Sequence, residues 1–370
     1  MAPLPCNTNM ERLCAIVTPL CAWYRQSARP LPWREGGESY HVWLSEVMLQ
    51  QTRIEAVKPY YARFLEAAPT VAALAVLPDD RLMKLWEGLG YYSRARNLKR
   101  AARVVCERYG GELPPDYEAL RSLPGIGEYT AGAIASIAFG LPCPAVDGNV
   151  LRVVTRLTGD ESDVLRPETK KRITAALAEV YGRAEDPAAL TQGLMELGEV
   201  VCMPNREPLC GACPLAAHCR AYAEGSWDRI PYRAPRRERR VIRKLVLLLH
   251  DGEGRYAIRR RPPKGLLAGL WELPQIDLPD DVADGDEAAL DGLARDFCKR
   301  HGLIAAESAA APAAKHVFTH LEWRMRGCYV NVMGGKEQDK ELLFVSAAEL
   351  ASAYALPTAF RAYANVIYGK

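Results

Sequence analysis

Between residues 10 and 140 apolar positions recur at three- and four-residue intervals, and no stretch alternates as a strand would. The run ESYHVWLSEVMLQQTRIEAVKPYYARFLEAAP sets Trp43, Val47, Gln50 and Ile54 on neighbouring turns of one helical pattern. Further helices are predicted for Val71 to Leu77, Asp79 to Gly88, Ser93 to Tyr109 and Tyr117 to Leu123, with Pro and Gly marking each boundary. Helical periodicity returns in VLRVVTRLTG, RPETKKRITAALAEVYG and PAALTQGLMELGEVVC, which makes residues 150 to 224 a second helical lobe. After a Pro- and Arg-rich linker at 229 to 240, the segments VIRKLVLLLH, GRYAIRRRP and RMRGCYVNVM read as strands. The pattern is that of a mainly α chain with a C-terminal α+β domain, divided as 1–228, a linker 229–240, and 241–370.

Composition narrows the class. The 370 residues are 49% hydrophobic and 25% charged, which is enough for two or three domains with ample cores. No apolar stretch reaches about 18 residues and no basic segment precedes an apolar run at the start, so neither membrane insertion nor export is expected, and the cytoplasm is the expected compartment. The net charge of +3 hides strong segregation: residues 94 to 108 carry six basic side chains against one acid, residues 229 to 244 carry eight against one, and residues 275 to 296 hold eight acids. Two basic stripes suit a phosphate backbone.

Candidate chemistry lies around LPGIGEYTAGAIASIAFGLPCPAVDGNV. Two glycines, Gly125 and Gly127, can take positive φ in a turn whose amides converge on an anion where a helix starts. Small residues at helical spacing, Ala131, Gly132, Ala133, Ala135 and Ala138, then allow a second element to come close, giving a helix-hairpin-helix. Asp147 follows a breaker cluster and opens the next helix, so it is at least an N-cap. Glu46 is the one charge in Val42 to Leu49, and desolvation there would raise its pKa toward that of a general acid. Cys202, Cys210, Cys213 and Cys219, spaced x7, x2 and x5, suit either zinc or a cubane cluster, and a single CxxC without a second pair argues against a zinc ribbon. Eleven cysteines in a reducing compartment favour metal ligation over a disulfide framework.

Hairpin, connection and the Val-Asp pair together resemble the endonuclease III superfamily of DNA glycosylases, and within it the adenine DNA glycosylase (MutY) family. Where the lyase branch carries a Schiff-base lysine after the hairpin turn, this chain has Tyr129. The segment LSEVMLQQT matches the family motif residue for residue. The resemblance implies that Glu46 protonates adenine at N7 and helps position water, that Asp147 faces the oxocarbenium-like sugar and by analogy with retaining glycosidases can trap it, and that Asn149 and Tyr129 hydrogen-bond that aspartate. It implies a pocket for the extruded adenine formed by Trp33, Arg34 and Gln192, and insertion of Gln51 and Tyr91 into the base stack. It gives the four cysteines a structural [4Fe–4S] cluster that presents a basic loop with Arg206 to DNA, although the family spacing is x6 and this chain has x7.

The segment GLLAGLWELP, an acidic loop and a helix resemble a Nudix domain. Aligning its box places Asp281 at the glycine, Glu287 at the first glutamate, Arg295 at the arginine, and Lys299 and Arg300 at the metal-binding glutamates, where two cations cannot hold magnesium. A recognition module without hydrolase activity is expected, reading 8-oxoguanine through Phe318, Thr319 and His320, with Thr319 where serine is usual. The implied architecture is a two-lobed glycosylase domain, with the hairpin lobe at about 30–140 and the cluster lobe formed by the N-terminal helix and 141–228, followed by the Nudix-like domain. The implied activity is monofunctional excision of adenine opposite 8-oxoguanine or guanine from duplex DNA, by a monomer. A bifunctional endonuclease III-like lyase and a binding-only iron-sulfur DNA module are the rival readings. The first lacks its amine at Tyr129, and the second predicts no base release.

Overall fold

The structure, a computed structural model, describes residues 7–235, 238–283, 285–333 and 341–369. Arg236 and Arg237 of the expected linker lie outside the described residues. In chain order the helices before the linker are α1 (Asn7–Ala15), α2 (Val17–Ser27), α3 (Ser39–Leu49), α4 (Ile54–Ala67), α5 (Val71–Val76), α6 (Asp79–Trp86), α7 (Ser93–Tyr109), α8 (Tyr117–Arg121), α9 (Glu128–Phe139), α10 (Gly148–Thr158), α11 (Pro167–Tyr181), α12 (Pro187–Val200) and α13 (Arg220–Ala223). The chain then runs β1 (Arg240–Asp251), β2 (Arg255–Arg260), β3 (Trp271–Glu272), β4 (Gln275–Asp277), α14 (Glu287–Arg300), β5 (Ile304–Val317), β6 (Leu321–Met333), β7 (Leu342–Ser346), α15 (Ala347–Ala353) and α16 (Arg361–Ile367).

The contacts divide these elements into two compact units. One holds the chain up to Val76 and from Arg96 to the linker; the other holds Leu77–Ala95 and the chain beyond the linker. Assigning Leu77–Ala95 to the C-terminal unit departs from the expected cut at 229–240. The cause is tertiary: Lys84 Nζ donates to the Tyr354 carbonyl at 3.1 Å, and Glu87 accepts the Leu356 amide at 2.8 Å.

In the first unit the continuous periodicity expected across residues 38 to 69 breaks at Gln50–Arg53. Four polar residues in a row offer no apolar anchor there, Gln51 turns to φ +60°, and the Thr52 amide closes a tight turn on the Leu49 carbonyl at 3.1 Å. The helix before the break, α3, is buried on nearly all its faces, as an interior helix must be when it is apolar all round. A second core joins α1 and α2 to α10, α11 and α12 through Leu13, Ile16, Leu20, Val150, Val154, Leu177 and Leu194. The chain's N-terminal helices thus brace the helix that Asp147 opens.

The second unit is built on a sheet of order β3-β2-β1-β6-β5, with β4 added to β1 and β7 to β2. Strand β1 lies parallel to β6, and the other pairs are antiparallel. The unbroken apolar run of β1 is buried on both faces, the reason it does not alternate. Leu245, Leu247 and Leu249 face α14 with Leu290, Ala294 and Phe297, while Val246 and Leu248 face α15 and α16 with Phe360 and Tyr363.

Candidate active site

A cavity of about 370 Å³ opens in the first unit, lined by Trp33, Arg34, Glu46, Gln51, Tyr129, Asp147, Asn149 and Gln192 among others. Residues proposed from stretches far apart in sequence therefore meet in one place. Glu46 comes from the middle of α3, Tyr129 from the first turn of α9, and Asp147 from the N-cap of α10. Trp33 and Arg34 stand in a short 3-10 turn, Pro32–Arg34. Gln51 occupies the break between α3 and α4, and Gln192 is in α12.

Tyr129 Oη donates to Glu46 Oε2 at 2.5 Å. Glu46 is only 7% exposed, and burial pushes its pKa up to about 7; the Tyr129 bond lowers it, the Asp147 charge raises it and Arg34 lowers it. Asp147 caps α10 by accepting the Val150 amide at 2.8 Å, and its other oxygen accepts from Asn149 Nδ2 at 2.9 Å. Its carboxylate keeps some surface on the cavity, yet protein surrounds it closely enough that desolvation raises its pKa, against the pull of the Val150 and Asn149 bonds. Asn149 thus holds Asp147 as expected. Tyr129 does not: its hydroxyl goes to the other carboxylate, because α9 stands directly against α3.

Two arginines and a glutamate complete the wall. Glu196 is 1% exposed and accepts from Arg29 Nε at 2.6 Å and from Arg34 at 2.8 Å. These bonds hold its pKa below the usual carboxylate range despite burial, which acts in the opposite direction. Arg29 and Glu196 are not among the residues expected from the sequence, although Glu196 is a lone acid in the apolar run GLMELG. Nor is Arg152, which is buried and donates to Asn149 Oδ1 at 2.8 Å, to the Gly198 carbonyl at 2.7 Å and to the Cys202 carbonyl at 2.7 Å. Gly198 is needed for this approach, since a Cβ there would lie 2.6 Å from Asn149 Cβ.

The hairpin turn joins α8 to α9. Gly125 takes φ +78°, and a Cβ on it would meet Asn97 Cβ at 2.5 Å, so glycine is required twice over. Gly127 does not share the left-handed conformation expected of it; it is extended, at φ −92°, and stands at the N-cap of α9. At Gly132 it is the backbone of the connection that comes close, for a Cβ would lie 2.2 Å from the Pro144 carbonyl oxygen.

Cys202, Cys210, Cys213 and Cys219 line one small hollow of about 30 Å³ with an apolar surface. Arg156 donates to Cys202 Sγ at 3.3 Å, the Leu215 amide bonds Cys213, and the Tyr222 and Ala221 amides bond Cys219. Among the described residues no three His, Cys, Asp or Glu side chains close on a single ion position. Arg206, in the loop between the first two cysteines, is exposed.

In the second unit Phe318, Thr319 and His320 form the turn between β5 and β6. Phe318 is half-buried and stacks edge-on with Trp323 at 4.9 Å, while Thr319 and His320 are exposed. Tyr91 belongs to this unit as well, and its hydroxyl lies 3.1 Å from Thr319 Oγ1. Lys299 and Arg300 end α14 on its exposed side, and Glu287 at its start pairs with Arg326 at 3.3 Å.

Residues 44–183 match the model of the HhH-GPD superfamily base excision DNA repair proteins, and residues 245–365 match a NUDIX domain. The adenine DNA glycosylase of Mus musculus is 34% identical over 376 residues, covering 87% of this chain and 72% of that protein. That of Homo sapiens is 37% identical over 310 residues, covering 70% of this chain and 56% of that protein. Among solved structures a thermostable thymine-DNA glycosylase superposes with a TM-score of 0.52 at 28% identity, covering 58% of this chain and 98% of its own. Among the described residues no helix is long and apolar enough to cross a membrane. With a hairpin-borne tyrosine and an N-cap aspartate meeting a buried glutamate in one base-sized cavity, and with likeness to these relatives running through both units, the chain belongs to the adenine DNA glycosylase family of base excision repair enzymes.

Proposed function

We propose that the chain is a monofunctional glycosylase that removes adenine paired with 8-oxoguanine, or with guanine, from duplex DNA and leaves an abasic site. The observation that carries this is the pairing of unlike carboxyl groups in one cavity: Glu46, raised to about 7 and bonded to Tyr129, and Asp147, fixed by Val150 and Asn149. Glu46 gives its proton to N7 of an extruded adenine. The glycosidic bond then breaks with its electron pair going to the base, and Asp147 faces the sugar as it turns positive. Opposite unit charges 4 Å apart at an effective dielectric of 20 attract by about 4 kcal/mol, which is worth roughly a thousandfold in rate if realised only at the transition state. Water adds at the sugar carbon and returns a proton to Glu46. Trp33, Arg34 and Gln192 hold the base, and Gln51 and Tyr91 fill the stack it leaves. The turn at Gly125 and Gly127 binds a backbone phosphate.

The ring of four thiols suits a [4Fe–4S] cluster. Burial pushes the Cys213 and Cys219 thiols up, the amides bonded to them act in the opposite direction, and Arg156 donates to Cys202 Sγ, so donors are in place for sulfurs that ligate a metal. When bound, the cluster supplies cross-linking of the loop and no step of the reaction. The extra residue between Cys202 and Cys210 is taken up in the loop, because only the end positions ligate. In the second unit Phe318, Thr319 and His320 read the base opposite the adenine, and Lys299 and Arg300 leave the Nudix helix without magnesium ligands. The test is a labelled duplex with A opposite 8-oxoguanine: strand breaks are expected only after alkali, and nothing should be trapped by borohydride. Breaks without alkali together with trapping would establish the lyase reading, and no breaks at all the binding-only reading.

A further inference from the structure

The turn between α6 and α7 holds Tyr91 at φ +46°, a backbone conformation that residues with a Cβ seldom adopt. Gly88 and Gly90 beside it are also left-handed, at +100° and +71°. Among the described residues only Gln51, Asn205 and Leu267 share that region without being glycine. Gln51 is the other residue assigned above to insertion into the base stack. Strain of this kind persists only where the surroundings over-determine it.

At Tyr91 those surroundings centre on Arg94. Its Nη2 donates to the Leu89 carbonyl at 3.0 Å and to the Gly90 carbonyl at 3.2 Å, and its amide bonds the Tyr91 carbonyl at 2.8 Å. The Trp86 indole donates to the same Gly90 carbonyl at 3.1 Å. The guanidinium carbon stands 5.4 Å from the centre of the Trp86 ring and 5.5 Å from that of Tyr91. Arg94 is 9% exposed, whereas Tyr91 is 45% exposed and touches Thr319 with its hydroxyl. A planar fork that bonds two successive carbonyls while lying against two rings is something a lysine cannot reproduce.

We propose that Arg94 is a positioning residue for base extrusion: it locks the Glu87–Tyr92 turn so that, with Thr319 at the phenol end, Tyr91 is set as a wedge before DNA arrives. A wedge already ordered spends no conformational entropy on binding. The inference rests on the reading above that Tyr91 enters the stack.

The test uses the full chain, an A:8-oxoguanine duplex and two readouts. One is the single-turnover rate of adenine release. The other is the fluorescence of 2-aminopurine placed beside the 8-oxoguanine, read in an Asp147→Asn background, where release is roughly a thousandfold slower and the signal is taken before the base leaves. Arg94→Lys and Arg94→Gln should each slow release roughly tenfold, the scale on which such strain acts, and should dim the unstacking signal. In a Tyr91→Gly background, where nothing is left to hold, neither should have any further effect. Equal losses with and without Tyr91, or an undimmed signal in variants that keep their thermal midpoint, would overturn the proposal. If one variant does not fold, the other carries the comparison. Failure of the parent reading has a separate sign: Tyr91→Gly alone would release adenine at the wild-type rate and leave the unstacking signal unchanged.

Discussion

The phenol of Tyr129 and the carboxyl of Glu46 share one short hydrogen bond of 2.5 Å inside the cavity. Burial is what raises Glu46 to about 7, and the Tyr129 bond is the first influence against it. A donor pointed at the ionised form of a carboxyl stabilises that form, so the tyrosine limits the rise in pKa that burial in the pocket causes. It follows that base release should fall as pH rises through about 7, where Glu46 loses the proton it must give. Tyr129→Phe should move this alkaline limb upward by about one pH unit, since a hydrogen bond to a charged group is worth about 1.5 kcal/mol or more. Single-turnover rates between pH 5 and 9, roughly the span over which such groups titrate, decide the point; an unmoved limb would separate Tyr129 from the acid.

The same burial has a stability consequence. Below about 4.5 Glu46 is protonated whether the chain is folded or not, and contributes nothing. Between 4.5 and about 7 the folded state binds a proton that the unfolded state has lost, so stability declines with rising pH until the folded pKa is passed. The shift corresponds to about 3 kcal/mol at most. Glu46→Gln removes the ionisable group without changing its size. It should abolish base release while raising the unfolding free energy, with the gain growing from pH 4.5 and levelling off above about 7. Denaturant titrations at pH 5 and pH 8, chosen as roughly either side of the transition, should show a larger midpoint difference at the higher pH.

Asp147 has two employments that one substitution can separate. As the cap of α10 it accepts the Val150 amide, and an asparagine oxygen does that as well as an aspartate oxygen. As the counter-charge to the sugar it must be an anion. Its other oxygen becomes an amide nitrogen that cannot accept from Asn149 Nδ2, so Asp147→Asn should lower the thermal midpoint by the few degrees that one lost hydrogen bond of about 1 kcal/mol implies, leave DNA affinity close to that of the wild type and slow base release roughly a thousandfold. A fall in thermal midpoint to match the fall in rate would mean that capping had been the larger part of its role.

How much of this was legible in the sequence depended on how far apart the partners lie along the chain. Glu46 was visible because it is a lone charge in an apolar run, and Asp147 because breakers precede it and a periodic segment follows. Arg29 and Glu196 were not: Glu196 is a lone acid in an apolar run as Glu46 is, but its bond to Arg29 spans 167 residues and nothing local to either names the partner. The α3–α4 break was hidden by a periodicity that continues across it, and the left-handed Gln51 is a tertiary outcome. Leu77–Ala95 reads as one more helical stretch of the first lobe. Bonds formed far along the chain assign it elsewhere: Lys84 to the Tyr354 carbonyl, Glu87 to the Leu356 amide, Asp80 to Arg260 and Tyr91 to Thr319. Gly125 was recognised as a turn residue, but that Asn97 excludes a side chain there came only with the packing.

That last contact gives a prediction which separates holding DNA from cutting it. Alanine at Gly125 would need φ +78° with a Cβ, and the Cβ would sit 2.5 Å from Asn97 Cβ, so the turn must deform. The deformation falls on the amides that open α9; Glu46 and Asp147 are held by α3 and the cap of α10, and Tyr129 in that first turn reaches Glu46 only through a bond whose loss raises the pKa of the acid. Gly125→Ala should weaken binding of an uncleavable duplex by roughly tenfold or more, the scale of one left-handed residue's strain, and lower the thermal midpoint by a few degrees. At saturating DNA its single-turnover rate should stay within about threefold of the wild type, because the groups that meet the base and sugar have not moved. Glycine at Asn97 relieves the clash but not the strained φ, so Asn97→Gly combined with Gly125→Ala should recover part of the affinity and never all of it. Full recovery would assign the whole effect to the clash, and no recovery would assign it to the backbone alone.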